Sequence, residues 1–532
     1  MDFLKKPLAL SALSGLLLAM SWPTYGFPLL IFVAFVPLLF AEFKLRQTAR
    51  KVKLKIWANA YLTFLLWNLI TTWWLFYASA VGMLFAVLVN SLLMSVLFVA
   101  YHVVAKRMPR FWALAFFVAL WISFERFHLG WDFSWPWLNL GHVFADYPQW
   151  IQWYEYTGSF GGSLWVLLVN AFVFHTAMAT ADHSARNVFQ NVFPRFVAFV
   201  SIPIVVSLWI YHTYEIQGLT KEVVVLQPNV DPYTEKYDTP NLETTRGLLA
   251  QADAVVSPET EFIIAPETVL AESAPFDHFY YSPGFQMMKN YLAKHPKAEL
   301  LWGIDTYRFV LDSANVQPSS NLYRPGVWVD FYNAALFVNH KPDFQKYYKS
   351  KLVVGIENLP YKTVLEPLLG NFMLDLGGTI STKTTQPDRT PFLSDDGTKV
   401  APIICYESVY GEYVTGFVNN GADFLAIITN DAWWNETQGH KQHLTFATLR
   451  AIETRRDIAR SANTGISAFI DQKGDIVSRT QYNEKTALRG RVHLNKNLTF
   501  YVRYGDYIAR AAIATLFVLL LVVVLKNRKV RY

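Results

Sequence analysis

Ala401-Pro402-Ile403-Ile404-Cys405-Tyr406-Glu407-Ser408 carries the only cysteine of a 532-residue chain, at the end of the apolar run Val400–Ile404. A short apolar run bounded by polar residues reads as a buried strand. One cysteine forms neither an intrachain disulfide nor a multi-cysteine metal site. On its own it is more often a small core hydrophobe than a nucleophile. Two further segments share the design, with an ionisable residue in or just past an apolar run. They are Phe262-Ile263-Ile264-Ala265-Pro266-Glu267-Thr268 and Tyr347-Tyr348-Lys349-Ser350-Lys351-Leu352-Val353-Val354-Gly355-Ile356-Glu357. Strand ends are where layered α/β sheets present reactive groups.

Outward from these segments, residues 221–496 read as one aqueous domain. Strand candidates are Glu222–Leu226, Phe262–Ala265, Leu300–Ile304, Ala334–Val338, Val400–Ile404 and Phe424–Ile428. Ile466–Ile470 and Asp475–Ser478 flank a Gln472-Lys473-Gly474 hairpin turn. Helical patterns cover Glu243–Ala252, Pro283–His295 and the region around His440–Arg460. This alternation predicts a layered α/β architecture.

The flanks differ. The chain is 53% hydrophobic and only 17% charged, against about 25% charged in a soluble domain. The deficit lies in residues 1–215 and in the final stretch. Apolar segments near the length of a membrane crossing run from Pro7 to Trp22, Phe27 to Phe43, Ile56 to Tyr77, Val81 to Ala105 and Phe111 to Phe124. Two more run from Leu164 to Ala181 and from Phe196 to Tyr211, and the last is Ile508–Leu525. The sequence therefore predicts a polytopic α-helical domain, 1–215, with seven helices, and an eighth helix at 508–525. Met20, Ser21, Trp22 and Pro23 leave no small-x-small cleavage site, so the first segment reads as an uncleaved anchor.

The net charge of +6 comes largely from clusters beside the apolar segments, at Lys44–Lys55 and Lys106–Arg110. These read as membrane anchors, and no nucleic-acid motif accompanies them. Lys and Arg alternate between loops, which places both termini in the cytoplasm and the aqueous domain outside, in the periplasm of a bacterium. The loop Glu125–Gly162 holds Trp131, Trp135, Trp137, Trp150 and Trp153. It reads equally as an interfacial aromatic belt or as a re-entrant segment shaping a lipid entrance.

Chemistry unites the three ionisable segments. A free thiol is only slightly ionised at neutral pH and needs a base. Glu267 is a candidate base, and Lys349 a candidate cation for a tetrahedral oxyanion. The order Glu267, Lys349, Cys405 resembles the Glu–Lys–Cys triad of the nitrilase (carbon–nitrogen hydrolase) superfamily. Membrane segments on both sides of such a domain resemble the apolipoprotein N-acyltransferase family. Gln227-Pro228-Asn229-Val230, Trp135-Pro136-Trp137-Leu138 and Asn430-Asp431-Ala432-Trp433-Trp434 strengthen the resemblance.

The resemblance implies an αββα sandwich, with Glu267 as general base and Lys349 as oxyanion partner. Glu357 matches the family's auxiliary acid, and Tyr406 and Glu407 match positions that shape the acyl site. Tyr237 falls near a Trp that many members carry on a loop over the pocket. Members often have Trp where this chain has Ala265, and Val-Pro-Phe-Gly-Glu where it has Val353-Val354-Gly355-Ile356-Glu357.

The implied reaction takes an acyl chain from a membrane phospholipid through a Cys405 thioester. It delivers the chain to the α-amino group of a diacylglyceryl-apolipoprotein at the inner membrane, with no cofactor and no metal. A membrane-tethered nitrilase-type amidase uses the same triad with water as acceptor. A third reading is a transporter or scaffold, for which the segments supply few ionisable residues, chiefly His102 and His175. Ser257-Pro258-Glu259-Thr260 repeats the Pro-Glu-Thr motif, but Glu267 follows the stronger strand and is favoured as the base.

Overall fold

The computed structural model describes residues 6–179, 185–362, 364, 366 and 382–529. The chain forms two compact units. One comprises residues 1–76, 80–213 and 506–532, and the other residues 77–79 and 214–505.

The first unit contains α1 (Pro7–Met20), α2 (Val36–Thr48), α3 (Val52–Thr72), α4 (Ala80–Ala105), α5 (Arg110–His128), α6 (Ser159–Ala179) and α7 (Ala185–Thr213). A C-terminal helix, Tyr507–Lys529, packs Leu519 and Val523 against Val104, Met108 and Phe116. The eight expected segments each meet a helix. Among the described residues, six helical stretches are long and apolar enough to cross a membrane: Pro28–Thr48, Ala80–Ala105, Arg110–His128, Ser159–Ala179, Val192–Thr213 and Tyr507–Lys526. The 14-residue α1 spans only about 21 Å at 1.5 Å per residue. The 21-residue α3 carries Lys53, Lys55, Asn59 and Asn68, and it stands outside the six. The end of the sixth expected segment, Thr180 and Ala181, lies outside the described residues, as do Val530 and Arg531 of the basic tail.

Several buried polar groups inside this unit are paired, which offsets the cost of their burial. Asn170 Oδ1 accepts from Phe35 N at 2.9 Å while its Nδ2 donates to Ile31 O at 2.8 Å. His102 Nδ1 lies 2.6 Å from Glu42 Oε1, and both side chains are buried. The Trp-rich stretch after α5 folds into short 3-10 turns at Pro136–Leu138, Leu140–Phe144 and Pro148–Trp150. Trp137, Leu140 and Phe144 are wholly buried, and Glu125 Oε1 accepts from Leu140 N at 2.8 Å. A Cβ on Gly141 would meet Ser159 O at 1.9 Å, so only glycine allows the stretch to lie this close to α6. The segment is packed into its unit rather than strung across its surface.

The second unit is a sandwich of two sheets. The first half of the domain supplies β1 (Leu219–Gln227), β2 (Thr260–Ile264), β3 (Leu270–Ala274), β4 (Glu299–Val310), β5 (Asn321–Arg324), β6 (Val327–Val338) and β7 (Phe344–Tyr348). The second half supplies β8 (Phe392–Leu393), β9 (Lys399–Ile404), β10 (Phe424–Thr429), β11 (Ile458–Ala462), β12 (Ala468–Ile470), β13 (Ile476–Arg479) and β14 (Thr486–Leu494). One sheet runs β14-β1-β2-β4-β6-β5, with β3 beside β4 and β7 beside β6. The other runs β13-β12-β11-β10-β9-β8.

The strand Val223-Val224-Val225-Leu226 is buried throughout because both faces of its sheet are covered. Val224 and Leu226 face α8 (Asn241–Asp253) and α9 (Pro283–Lys294), in one cluster with Leu248, Phe285 and Met288. The other face meets the second sheet, where Phe262 and Phe424 approach to 5.3 Å between ring centroids. α10 (Gly411–Asn419) and α11 (Gln438–Thr454) belong to the second half. The layers are αββα.

The helix expected around His440–Arg460 stops early. Arg455 takes a left-handed conformation, φ +50°, and Ile458–Ala462 pairs in parallel with β10. Arg460 in that strand is fully buried but ion-paired, so a strand residue carries the charge expected of a helix surface. Gly474, φ +84°, makes the turn between β12 and β13 as expected.

Candidate active site

The parallel strands β2, β9, β10 and β11 place Glu267, Cys405, Asn430 and Asn463 just past their carboxyl ends. Lys349 immediately follows β7, and Asn333 projects from the neighbouring β6. The site therefore draws one group of residues from each sheet.

Lys349 Nζ is the hub. It donates to Glu267 Oε1 at 2.8 Å and lies 2.8 Å from Glu357 Oε2. Asn333 Nδ2 bridges the same two carboxylates, at 2.7 Å from Glu267 Oε1 and 2.8 Å from Glu357 Oε1. The other oxygen of Glu267 accepts from Asn430 N at 3.2 Å. Val353 N donates to Glu357 Oε2 at 2.9 Å, and Lys349 N to Asn333 O at 2.8 Å. All three ionisable side chains are buried, and such charges persist only when paired and hydrogen-bonded.

Burial works against the charge of Glu267, but Lys349 and Asn333 outweigh it and hold the carboxyl below its usual range. Burial likewise opposes the Lys349 ammonium, and the two carboxylates hold it well above the ordinary lysine value. For Cys405, burial first and the Glu267 charge second push the thiol well up. The resting site is thus an ionised carboxylate and a protonated thiol, the state a general base needs before it acts.

Two backbone positions are strained. Cys405 has φ +50° and Thr268 has φ +44°, a region that costs a residue bearing a Cβ roughly 1–3 kcal/mol. A Cβ on Gly303 of β4 would stand 2.5 Å from Thr268 N and 2.7 Å from Glu267 Cα. Glycine there is what lets the base-bearing turn seat on the sheet.

The remaining expected residues divide. Glu407 is buried and saturated: Oε2 accepts from Ile404 N at 2.9 Å, and Oε1 from Ser350 N and Tyr347 Oη at 2.7 Å each. It ties the cysteine turn to the lysine turn. Tyr406 is buried, edge-on to Tyr410 at 5.3 Å. Tyr237 is 57% exposed on the loop after β1. Its neighbour Lys236, absent from the sequence reading, is buried and donates to Thr268 Oγ1 at 2.5 Å. Lys236 and Glu267 line the same cavity, of about 160 Å³. Asn333 was also missed, because an Asn inside Val327–Val338 has no motif around it. The decoy Glu259 is exposed and pairs with Lys297 at 2.7 Å.

Residues 14–172 match the apolipoprotein N-acyltransferase N-terminal domain, and residues 238–496 match the carbon-nitrogen hydrolase family. The chain is 30% identical over 543 aligned positions to an apolipoprotein N-acyltransferase of Chlorobaculum tepidum, covering 99% of this chain and 98% of that one. It is 27% identical to an apolipoprotein N-acyltransferase of Geobacter metallireducens, over 95% of this chain and 93% of the relative. Apolipoprotein N-acyltransferase 1 of Treponema denticola is 24% identical, over 88% and 87%. With an apolar helical unit, an αββα domain and relatives matched nearly end to end, the chain belongs to the apolipoprotein N-acyltransferase family.

Proposed function

We propose that this membrane enzyme moves an acyl chain from a phospholipid to the α-amino group of a diacylglyceryl-apolipoprotein through a thioester on Cys405. The observation that carries the reading is the Glu267 carboxylate held by Lys349 Nζ and Asn333 Nδ2, buried past a strand end like the Cys405 turn. In the first step Sγ attacks the sn-1 ester carbonyl and its proton passes to Glu267. Lys349 stabilises the tetrahedral oxyanion. The C–O bond breaks, the proton goes to the departing oxygen, and a lysophospholipid leaves. In the second step the free amine attacks the thioester, Glu267 takes a proton from nitrogen, and the C–S bond breaks. The thiolate recovers that proton. Glu357 and Asn333 hold Lys349 in place throughout, and Tyr237 and Tyr406 border the acyl site.

Alternating Lys and Arg between apolar segments supports a catalytic unit on the periplasmic face of the bacterial inner membrane, with both termini cytoplasmic. Both substrates are lipid-anchored, which accounts for tethering the catalytic unit at a bilayer. Intact mass measurement of the protein purified from membranes is the test. A fatty-acyl increment on Cys405, removed by an apolipoprotein acceptor, is expected; an unmodified chain that still transfers would overturn the scheme.

Glu267→Gln is expected to lower turnover by about 10²–10⁴-fold, the range for a general base. Glu259→Gln is expected to be silent, since its partner is a surface lysine. An inactive Glu259→Gln beside an active Glu267→Gln would reverse the assignment.

Lys236 sets a pH dependence. Burial lowers its ammonium to about 8, against the pull of Glu267. It is therefore charged below about pH 8 and neutral above, where its charge beside the site disappears. Turnover is expected to fall on the alkaline side through about pH 8. Lys236→Met should lack that limb and run about tenfold slower at pH 7, which corresponds to about 1.4 kcal/mol of lost electrostatic stabilisation. A pH–rate profile of both proteins checks this, and identical alkaline limbs would refute it.

A further inference from the structure

A buried chain of side chains ends on the backbone of the nucleophile rather than on its thiol. Arg460 Nη2 donates to Asp431 Oδ2 at 2.6 Å. Asp431 Oδ1 lies 3.0 Å from His443 Nδ1 and accepts from Thr429 Oγ1 at 2.8 Å. His443 Nε2 stands 3.2 Å from Cys405 O and 3.0 Å from Ser408 Oγ. The Ser408 hydroxyl itself donates to Cys405 O at 2.7 Å. All of these side chains are buried.

Ser408, His443 and Asp431 are connected as in a serine hydrolase triad. Here, however, the hydroxyl is spent on the carbonyl of Cys405, so the chain has a different task. Cys405 sits at φ +50°, and a strained residue keeps such a conformation only where its surroundings over-determine it. Two donor positions converge on that carbonyl: the Ser408 hydroxyl, and the Nε2–H that His443 carries when both ring nitrogens hold a proton, with Nδ1–H on Asp431, which together with Arg460 fixes the ring. We propose that His443 is a positioning residue for the acyl transfer, locking the left-handed turn that aims the Cys405 thiol at the ester carbonyl.

This rests on Cys405 being the nucleophile, which the parent protein tests alone by acquiring acyl mass from phospholipid. The positioning role is read from variants of the full-length protein in detergent. Three quantities are measured: the acylation rate of Cys405 by intact mass, the rate of its alkylation by iodoacetamide, and KM for phospholipid. His443→Leu is expected to slow acylation by about 100-fold, the scale of a misplacement near 1 Å, with KM unchanged. Alkylation should slow in parallel. His443→Gln, whose side-chain N–H can reach the carbonyl, should stay within about tenfold of the parent. Ser408→Ala, a smaller change should His443→Leu fail to fold, is expected to lose about three- to tenfold, as for one neutral hydrogen bond. Parent-like acylation in His443→Leu or Ser408→Ala, equal losses in the Leu and Gln variants, or a loss confined to KM would each overturn the role.

Discussion

Cys405→Ala is expected to lower acyl transfer by at least about 10⁴-fold while leaving the protein folded. Removing a covalent nucleophile leaves only binding and electrostatics to lower the barrier. The fold should survive, because the cysteine is a small buried side chain and the turn is held by the backbone contacts of Glu407 and Ser408. Cys405→Ser sharpens the test. Its hydroxyl is a far weaker acid than a thiol, and Glu267, held below its usual range, is too weak a base to ionise it. The serine variant should therefore sit close to the alanine one. Conversion of diacylated to triacylated apolipoprotein, followed by mass spectrometry with purified variant and phospholipid, measures the effect. Triacylated product at the parent rate from Cys405→Ala would show that no covalent step on this residue is needed.

The legibility of this molecule in its sequence follows physical lines. β1, β2, β9 and β10 were readable because strands covered on both faces are uninterrupted apolar runs. The ionisable residues that end the runs before Glu267 and Cys405 stand out against them. β7 and β11 were not readable. In Phe344–Tyr348 the adjacent Gln345 and Lys346 break both an apolar run and an alternation, and Ile458–Ala462 contains a charge, Arg460, that is neutralised by Asp431, 29 residues earlier. Asn333 and Lys236 escaped for the same reason. Their importance lies in contacts distant in sequence, with Glu357 and Thr268, and no local spacing encodes that. In the membrane unit, hydropathy located the segments, and among the described residues six helical stretches are long and apolar enough to cross a membrane. α1 is short, and α3 mixes apolar positions with buried polar ones such as Asn68 and Thr72.

Lys349→Met is expected to cost about 10³-fold in turnover and about 3–5 kcal/mol in stability together. The first figure is the upper range for losing an oxyanion donor, and the second is typical of removing one partner from a buried ion pair. The arrangement explains why the two losses are coupled. Glu267 and Glu357 both accept from the single amide of Asn333 and share Lys349 Nζ. Without the ammonium, two carboxylates face one another in a buried site, and one of them must take up a proton. In the parent, Glu267 is held below its unfolded value, so its contribution is present at neutral pH and is lost only as pH falls through the lowered value. In the variant the sign reverses. A carboxyl raised above its unfolded value binds its proton more tightly in the folded state, so stability declines as pH rises above about 4.3. Lys349→Met should therefore gain more thermal stability than the parent does on going from pH 8 to pH 5. Lys349→Arg restores the charge but cannot place one compact donor between both carboxylates, so it should recover stability more than turnover. Thermal midpoints at the two pH values, paired with transfer assays, decide the matter. A Lys349→Met protein as stable as the parent at pH 8, with turnover intact, would remove Lys349 from the reaction and leave the carboxylate pair without an electrostatic account.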